Sequence, residues 1–223
     1  MSDSPKVDRI VRSKRRTMAL YVRDDATVEL RVPLRASEQL MKKFIAQNSG
    51  WITRHRQAAL RKLRESPPKL FKVGEKFLYL GKLYPLAEAQ QKEALRWDGK
   101  QFILKIGADG HKAFSSWYRD SARAVISERV NLYSRLHNLP YGSIRMTSAR
   151  QRWGSCSPEN NLSFAWRLVM LPLPSVDYLV AHELAHTRHK NHGKRFWSQV
   201  EKICPDFSAR NRWLRDHGHR SSL

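Results

Sequence analysis

Positions 182 to 186 read His-Glu-Leu-Ala-His and hold the residue types of this sequence that are best suited to metal chemistry. On a helix, residues four apart lie on one face, so His182 and His186 can direct their imidazoles at the same metal ion. Glu183 lies one position round the helix, from which its carboxylate can reach a water bound to that metal. The spacing therefore predicts a zinc ion that activates water, with Glu183 as the general base.

A third ligand is needed, because catalytic zinc usually has three protein ligands and one water. His189 lies seven residues after His182, where a straight helix separates the two Cα atoms by roughly 10 Å. Convergence of both nitrogens on one ion at about 2 Å is then awkward, with His186 between them. His192 lies beyond the predicted helix end, and Gly193 beside it allows the backbone to turn back towards the metal. We therefore predict His192 as the third ligand, and His189 as a histidine outside the ligand set.

Several sequence blocks around this motif resemble the YgjP-like zinc metallopeptidases, a minigluzincin-like family similar at the motif to the SprT-like and WLM proteases. The blocks that carry the resemblance are 12–16, Arg152-Trp153-Gly154-Ser155-Cys156, Leu171-Pro172, Asp177-Tyr178, His192-Gly193, Phe196-Trp197 and Cys204-Pro205-Asp206. The chain departs from the family at Phe164-Ala165-Trp166, where a more polar segment containing Asn is expected. The resemblance covers most of the chain and implies a zinc hydrolase. Its ligands would be His182, His186 and His192, and its general base Glu183.

The residues around the motif leave two readings of the metal open. A purely structural zinc would need a fourth protein ligand, for which Cys156 and Cys204 are the candidates. That reading would leave Glu183 without a role.

The block from Arg152 to Cys156 is interpreted either as a tight turn, with Gly154 at the bend, or as an anion pocket.

A peptidase mechanism also needs groups that bind the substrate and stabilise the oxyanion. The candidates for a second electrophile are Tyr178, Arg152 and His219. The predicted strand 162–168 would align an extended peptide by main-chain pairing if it lies at a sheet edge, as the resemblance to gluzincins implies. We interpret Phe196 and Trp197 as core residues that dock the following helix.

The elements that must position these residues follow from hydrophobic periodicity and turn signals. A hairpin is predicted within 9–33, around Asp24-Asp25, and Ser37 is placed to cap a helical stretch that bends at 48–50. Further on, we predict short strands between 77 and 106, a helix from about Lys112 to Leu139, and strands at 143–147 and 162–168. The active-site helix is predicted from Val176, capped by Ser175, to about Lys190, and a last helix over 208–223.

This order of elements predicts an α+β fold. A β-rich N-terminal half, residues 1–110, precedes or wraps a zincin-like half of helix, strand and active-site helix, residues 111–223. We expect the two to form one compact unit. The best candidate for a segment boundary inside the first half is Ser66-Pro67-Pro68, which ends the helical stretch.

Composition limits the class of protein and its partners. The chain has 223 residues, with 42 Lys/Arg against 20 Asp/Glu and a formal net charge of +22. Two cysteines exclude a disulfide scaffold and favour a reducing compartment. Neither a secretory signal nor an apolar run of roughly 20 residues is found. We therefore predict a soluble, cytoplasmic protein that has no membrane partner and whose basic surface attracts acidic targets or nucleic acid.

Three functions remain open at this point. The leading prediction is a zinc-dependent metallopeptidase acting on proteins or peptides. The second is a zinc-dependent nucleoside triphosphate pyrophosphatase, because activated water does not define the bond that it attacks. The third is a non-enzymatic nucleic-acid-binding module, in which the aromatic and basic residues around Trp51 and Trp213 stack on bases.

Overall fold

The chain folds into two compact units, Met1–Pro68 and Lys69–Leu223. The structure is a computed structural model, and it describes residues 6–23, 25–65, 67–218 and 223. The division falls at the prolines that the sequence marks as a segment boundary. It does not fall at residue 110, where the two predicted regions meet.

The first unit begins with a small sheet, whose strands are β1 (Arg9–Ser13), β2 (Ala19–Val22) and β3 (Val28–Pro33). The central strand β3 pairs antiparallel with β2 and parallel with β1. The predicted hairpin is therefore confirmed for β2 and β3, although Asp24 in its turn lies outside the described residues. Glu29 is buried on β3, and it accepts hydrogen bonds from Arg23 and Arg31 at 2.7 and 2.6 Å.

Two helices follow in this unit, α1 (Glu38–Gln47) and α2 (Ser49–Glu65). The predicted cap is confirmed, since the Ser37 side chain accepts a hydrogen bond from the Leu40 amide. Asn48 separates the helices at the predicted bend. A small core joins sheet and helix, and it contains Leu30, Val32, Ala36 and Met41.

The second unit opens with a four-stranded sheet and a long helix. The strands are β4 (Lys76–Tyr79), β5 (Lys82–Ala89), β6 (Leu95–Trp97) and β7 (Phe102–Lys105), in the spatial order β4-β5-β7-β6. The helix α3 (Gly110–His137) starts at Asp109, whose carboxylate accepts from the Lys112 amide, and ends at Asn138 in the left-handed conformation. Phe77 of the sheet stacks on Phe114 of the helix with a centroid distance of 4.0 Å.

This sheet belongs to the same core as the predicted active-site half. The amides of Leu80 and Gly81 donate to the carbonyls of Val169 and Met170, at 2.9 and 3.1 Å. Gly81 has a φ of +81°, and a Cβ there would lie 2.7 Å from Cγ of Pro172. The β4–β5 turn therefore packs directly against the segment that leads into the helix with the histidine motif, so a boundary at 110 would cut through one core.

A third sheet and three helices complete the second unit over its described residues. Strands β8 (Ile144–Thr147), β9 (Gly154–Cys156) and β10 (Leu162–Ala165) lie in the order β8-β10-β9. After a 3-10 helix (Trp166–Met170) come α4 (Leu173–Ala185), α5 (Lys194–Ile203) and α6 (Phe207–His217). The fold is α+β, as predicted. Along the described residues, no helix combines the length and the apolarity that crossing a membrane requires.

Two predicted elements near the motif need correction. The strand predicted over 162–168 ends at Ala165, and it is the middle strand of its sheet, so it has no free edge. The helix predicted from Val176 begins at Leu173, because Pro174 fits the first turn of a helix, where its missing N–H is not needed. That helix ends at Ala185 rather than near Lys190.

Candidate metal centre

Helix α4 presents the histidine motif at its C-terminal end. His182 and Glu183 lie within the helix and His186 is its C-cap, still in the right-handed helical conformation. The Leu184 carbonyl at this end accepts from both the Thr187 hydroxyl, at 2.8 Å, and the Thr187 amide, at 3.0 Å. Val176, Leu179, Val180 and Leu184 of the same helix are buried and anchor it in the core.

Three histidines converge on one point. The Nε2 atoms of His182 and His192 are 3.1 Å apart, and each of His182, His186 and His192 offers a ligand atom within 4.8 Å of the others. Two ligands of a tetrahedral zinc with bonds of about 2 Å lie about 3.3 Å apart. The spacing of the histidine nitrogens therefore fits a single zinc ion.

His189 takes part through its backbone rather than its side chain. The Nδ1 atom of His186 lies 3.0 Å from the His189 carbonyl oxygen. Because a carbonyl only accepts, Nδ1 carries the proton, and Nε2 of His186 is left with a lone pair for a metal. Within the described residues, the histidine group contains His192 and not the His189 side chain.

The Phe196 ring packs against the three imidazoles. Its ring is fully buried, and its centroid lies 4.9, 4.4 and 4.7 Å from those of His182, His186 and His192. Sequence reasoning placed Phe196 in the core but missed this contact. The available signal was its position four residues after His192, in the first turn of the next helix.

Glu183 is a buried carboxylate directly beside the histidines. Its side chain is 4% exposed, and Oε2 has no hydrogen-bond partner among the described residues. Burial raises the pKa of Glu183 to about 8, while the positive charge of Arg152 acts in the opposite direction. An unpartnered buried carboxylate oxygen is costly unless something else binds it. A metal-bound water is a group of the right kind.

Gly154 makes room for this carboxylate. A Cβ at Gly154 would lie 2.5 Å from Oε1 of Glu183 and 2.7 Å from its Cγ. The block from Arg152 to Cys156 contains strand β9, so the predicted tight turn with Gly154 at the bend is wrong. Gly193 needs no special backbone conformation either, since its φ is −79°.

The candidates for a second electrophile lie in different surroundings. Tyr178 is buried one turn before His182, with ring centroids 6.1 Å apart, and burial raises its pKa. Arg152 is exposed, and its charge acts on Glu183. His219 lies outside the described residues. The anion pocket that the sequence suggested at Arg150 and Arg152 remains a prediction.

The cysteines lie outside the histidine group, as far as the described residues go. Cys156 is 3.7 Å from the Lys190 ammonium, and the Cys204 thiol donates to Asp206 at 3.3 Å. Three imidazoles with an adjacent carboxylate form the donor set of a zinc site that keeps an open position. The residues present therefore fit a catalytic zinc better than a closed structural one.

The chain matches a known protein family in sequence and is similar to a solved structure over part of its length. The sequence model of a family described as YgjP-like, metallopeptidase domain, matches residues 16–217. Among solved structures, the chain is similar to the metallopeptidase zymogen of Methanocaldococcus jannaschii jannalysin. The two are 21% identical, with a TM-score of 0.34, and the match covers 40% of this chain and 94% of that one. No curated protein matches the sequence.

Proposed function

Because this chain belongs to the YgjP-like metallopeptidase family, we propose that it is a zinc-dependent peptidase. His182, His186 and His192 hold the metal. The observation that carries the proposal is the convergence of three histidine nitrogens beside a buried carboxylate with an unpartnered oxygen. When bound there, zinc would act as a Lewis acid and lower the pKa of a coordinated water to about 7.

Glu183 is the general base in this proposal. It accepts the proton of the attacking water and passes it to the amine that leaves. Its buried position favours proton uptake, because desolvation raises the pKa of the carboxyl above that of a solvent-exposed glutamate. Gly154 fixes the position of the carboxylate by allowing the strand backbone to approach it closely.

Strand β9 is the segment best placed to align a peptide. It is an outer strand of its sheet, whereas β10 is paired on both sides. Gly154 at the start of β9 lies against the Glu183 carboxylate. An extended substrate that adds to the free edge of β9 would therefore bring a main-chain carbonyl close to the general base.

The proposed function is tested by comparing the zinc-loaded wild type with Glu183→Gln on a mixture of unstructured peptides. We expect cleavage by the wild type and a rate at least a hundredfold lower in the variant, which keeps its zinc. Equal cleavage by both proteins would contradict the role of Glu183. Release of pyrophosphate from nucleoside triphosphates that depends on Glu183, without peptide cleavage, would replace the peptide bond by a phosphoanhydride.

We also infer that the first unit binds polyanions such as nucleic acid. Residues 1–68 carry 16 Lys/Arg and 7 Asp/Glu. On α2, Arg54, Arg61 and Arg64 are exposed and have no acidic partner among the described residues, whereas Arg56 lies 3.5 Å from Asp8. Such cations are available to phosphate groups, and their attraction weakens steeply with salt.

Retention on immobilised single-stranded DNA tests the basic surface separately from the metal site. We expect the wild type to be retained at low salt, and a protein with Arg54, Arg61 and Arg64 all changed to alanine to elute earlier. The matched control changes three exposed lysines of the second unit, Lys92, Lys100 and Lys105, to alanine. Absence of retention at low salt, or equal losses in both triple variants, would contradict this role for α2.

A cytoplasmic location is also part of the proposal. It depends on the two free cysteines, which suit a reducing compartment. A fusion of the full chain to a fluorescent protein, followed in cells, would test it.

A further inference from the structure

The loop between α4 and α5, residues 187–193, is attached to a neighbouring hairpin by one lysine. The Lys190 ammonium donates to the Asn160 side-chain oxygen at 2.6 Å and to the Ser157 carbonyl at 2.8 Å. It also lies 3.7 Å from the sulfur of Cys156. All three acceptors belong to strand β9 or to the turn between β9 and β10. Lys190 therefore joins two segments that are about thirty residues apart in sequence.

Both segments joined by Lys190 contribute to the metal centre. The loop carries His192, which is two residues after Lys190 and exposed. The hairpin carries Gly154, against which the Glu183 carboxylate lies. The contact thus fixes the exposed ligand relative to the strand that positions the general base.

The turn that receives the ammonium has a defined shape. The Asn160 amide donates to the Ser157 carbonyl at 3.0 Å, and the Ser157 amide donates to the Asn161 carbonyl at 2.9 Å. Asn160 has a φ of +62°, a left-handed conformation that asparagine adopts more easily than most residues. The acceptors of Lys190 are therefore held in place by the turn before the lysine reaches them.

The other anchors of the loop lie nearer to α4. The Arg188 guanidinium donates to the Asn138 carbonyl at 2.7 Å, and the His189 carbonyl accepts from His186. Between His189 and α5, Gly193 N–H donates locally to the Asn191 carbonyl. Among the described residues between His189 and α5, it is the Lys190 side chain that donates hydrogen bonds to another part of the fold.

We propose that Lys190 is a positioning residue for the metal site, which holds the loop in the conformation that brings His192 to the ion. This inference rests on the proposed zinc ligands. A loop without this anchor would sample other conformations and would have to be ordered when metal binds, which lowers affinity. Substitution of a residue that orients a metal ligand typically weakens metal binding by about 10- to 100-fold. Because Lys190 is exposed, we expect an effect near the lower end of that range.

The test measures zinc affinity by competition with a chelating dye for the full chain and for Lys190→Met. We expect the variant to bind zinc about tenfold more weakly, and the spectrum of bound cobalt, used as a probe of ligand geometry, to change. The thermal midpoint of the metal-free protein should stay the same. Lys190→Arg, which can still donate to both oxygens, should recover part of the affinity.

Lys194→Met is the matched control. Lys194 lies two residues on the other side of His192, carries the same charge, and has no polar partner among the described residues. Both variants remove one positive charge at the same sequence distance from the ligand, so the comparison separates the lost hydrogen bonds from the loss of charge. Equal zinc affinities of Lys190→Met and Lys194→Met would overturn the proposal, as would tighter binding by Lys190→Met.

A second variant covers the case in which Lys190→Met does not fold. Asn160→Gly removes the side-chain acceptor and keeps a residue that tolerates positive φ. We expect weaker zinc binding in Asn160→Gly, and unchanged affinity there would overturn the proposal. A wild type that binds no zinc would instead contradict the proposed function, so the two failures are distinguishable.

Discussion

The chemistry of the site depends on where two oxygen atoms of one residue lie. Glu183 is buried, its Oε2 has no partner among the described residues, and its Oε1 lies against the backbone of Gly154. A carboxylate in water would be free to rotate and would hold its proton only in acid. Here the strand fixes its position, and burial raises its pKa to about 8.

Gly154→Ala should therefore displace Glu183, the proposed general base. The added methyl group would lie 2.5 Å from Oε1 and 2.7 Å from Cγ of Glu183, so the carboxylate has to move. A misplacement of about 1 Å can cost about a hundredfold in rate. We expect peptidase activity to fall at least tenfold while zinc affinity is unchanged, as measured by kinetics and chelator competition.

Gly193→Ala is the control for this change. It is also a glycine beside the site, but a Cβ there meets no atom within 4 Å and its φ is −79°. We expect near wild-type activity. Equal losses in Gly154→Ala and Gly193→Ala, or no loss in either, would show that the close approach to Glu183 has no functional role.

The sequence predicts which residues form the candidate site better than it predicts the contacts that those residues make. The spacing of His182, Glu183 and His186 follows from helix geometry alone, and His192 was preferred for its place after the helix. The contact of Gly154 with Glu183 joins positions far apart in the chain, so local pattern could not show it. The same holds for Phe196, whose contact with the histidines depends on how α5 turns back on α4.

At the scale of elements, an ion pair holds helix α4, which carries the histidine motif, against the long helix α3. Arg129 on α3 donates through Nε and Nη2 to the two carboxylate oxygens of Asp177 on α4, at 2.6 and 3.0 Å. Arg129 also donates to the Tyr133 hydroxyl at 3.0 Å. The side chains of the pair are about one-fifth exposed. Because the ion pair is bidentate, it orients the first half of α4 against α3 as well as stabilising the contact.

Asp177→Asn should lower the stability of the second unit. The variant loses the charge that Arg129 faces, and hydrogen bonds to charged groups contribute about 1.5–3 kcal/mol when buried. Because this pair is partly exposed, we expect a loss of about 1–2 kcal/mol in the free energy of unfolding. Denaturant unfolding of the metal-free protein would measure it.

Asp216→Asn is the comparison for this prediction. Asp216 is more than half exposed, and its nearest guanidinium nitrogen, on Arg215, is 3.7 Å away. Surface changes of this kind stay within about 0.5 kcal/mol. A similar loss in Asp216→Asn would mean that net charge, rather than the contact between α3 and α4, sets the stability.

The elements themselves were predictable where local signals are strong. Ser37 as a cap, Asn48 as a break and the end of α3 before Pro140 follow from local backbone chemistry. The sequence predicts the start of α4 too late. Ser175 is a typical N-cap residue and Pro174 a typical helix breaker, but proline also suits the first turn of a helix. The middle position of β10 follows from pairing with β8 and β9, which the order of residues does not reveal.

At the scale of the whole molecule, the second unit contains a complete core. Its buried residues run from Phe77 in β4 to Leu214 in α6, and include Phe102, Phe114 and Tyr118. The sequence-based boundary at residue 110 would separate Phe77 and Phe102 from the helix that they pack against. Local sequence pattern does not reveal this, because the stacking of Phe77 on Phe114 joins a strand before residue 110 to the helix after it.

A fragment of residues 69–223 should therefore fold and bind zinc without the first unit. We expect a cooperative thermal transition and one zinc per chain, by calorimetry and metal analysis. A fragment of residues 111–223 is the control, because it lacks Phe77, Phe102 and the strands that carry them. We expect it to show no cooperative transition. The reverse result, or failure of both fragments, would contradict the division at Pro68.

Metal content tests directly whether His182, His186 and His192 form one zinc site. We would measure bound zinc per chain for the full-length wild type, His192→Ala and His189→Ala after the same zinc loading and dialysis. We expect one tightly bound zinc in the wild type and in His189→Ala, and much weaker binding in His192→Ala. Full zinc content in His192→Ala, or none in the wild type, would contradict it.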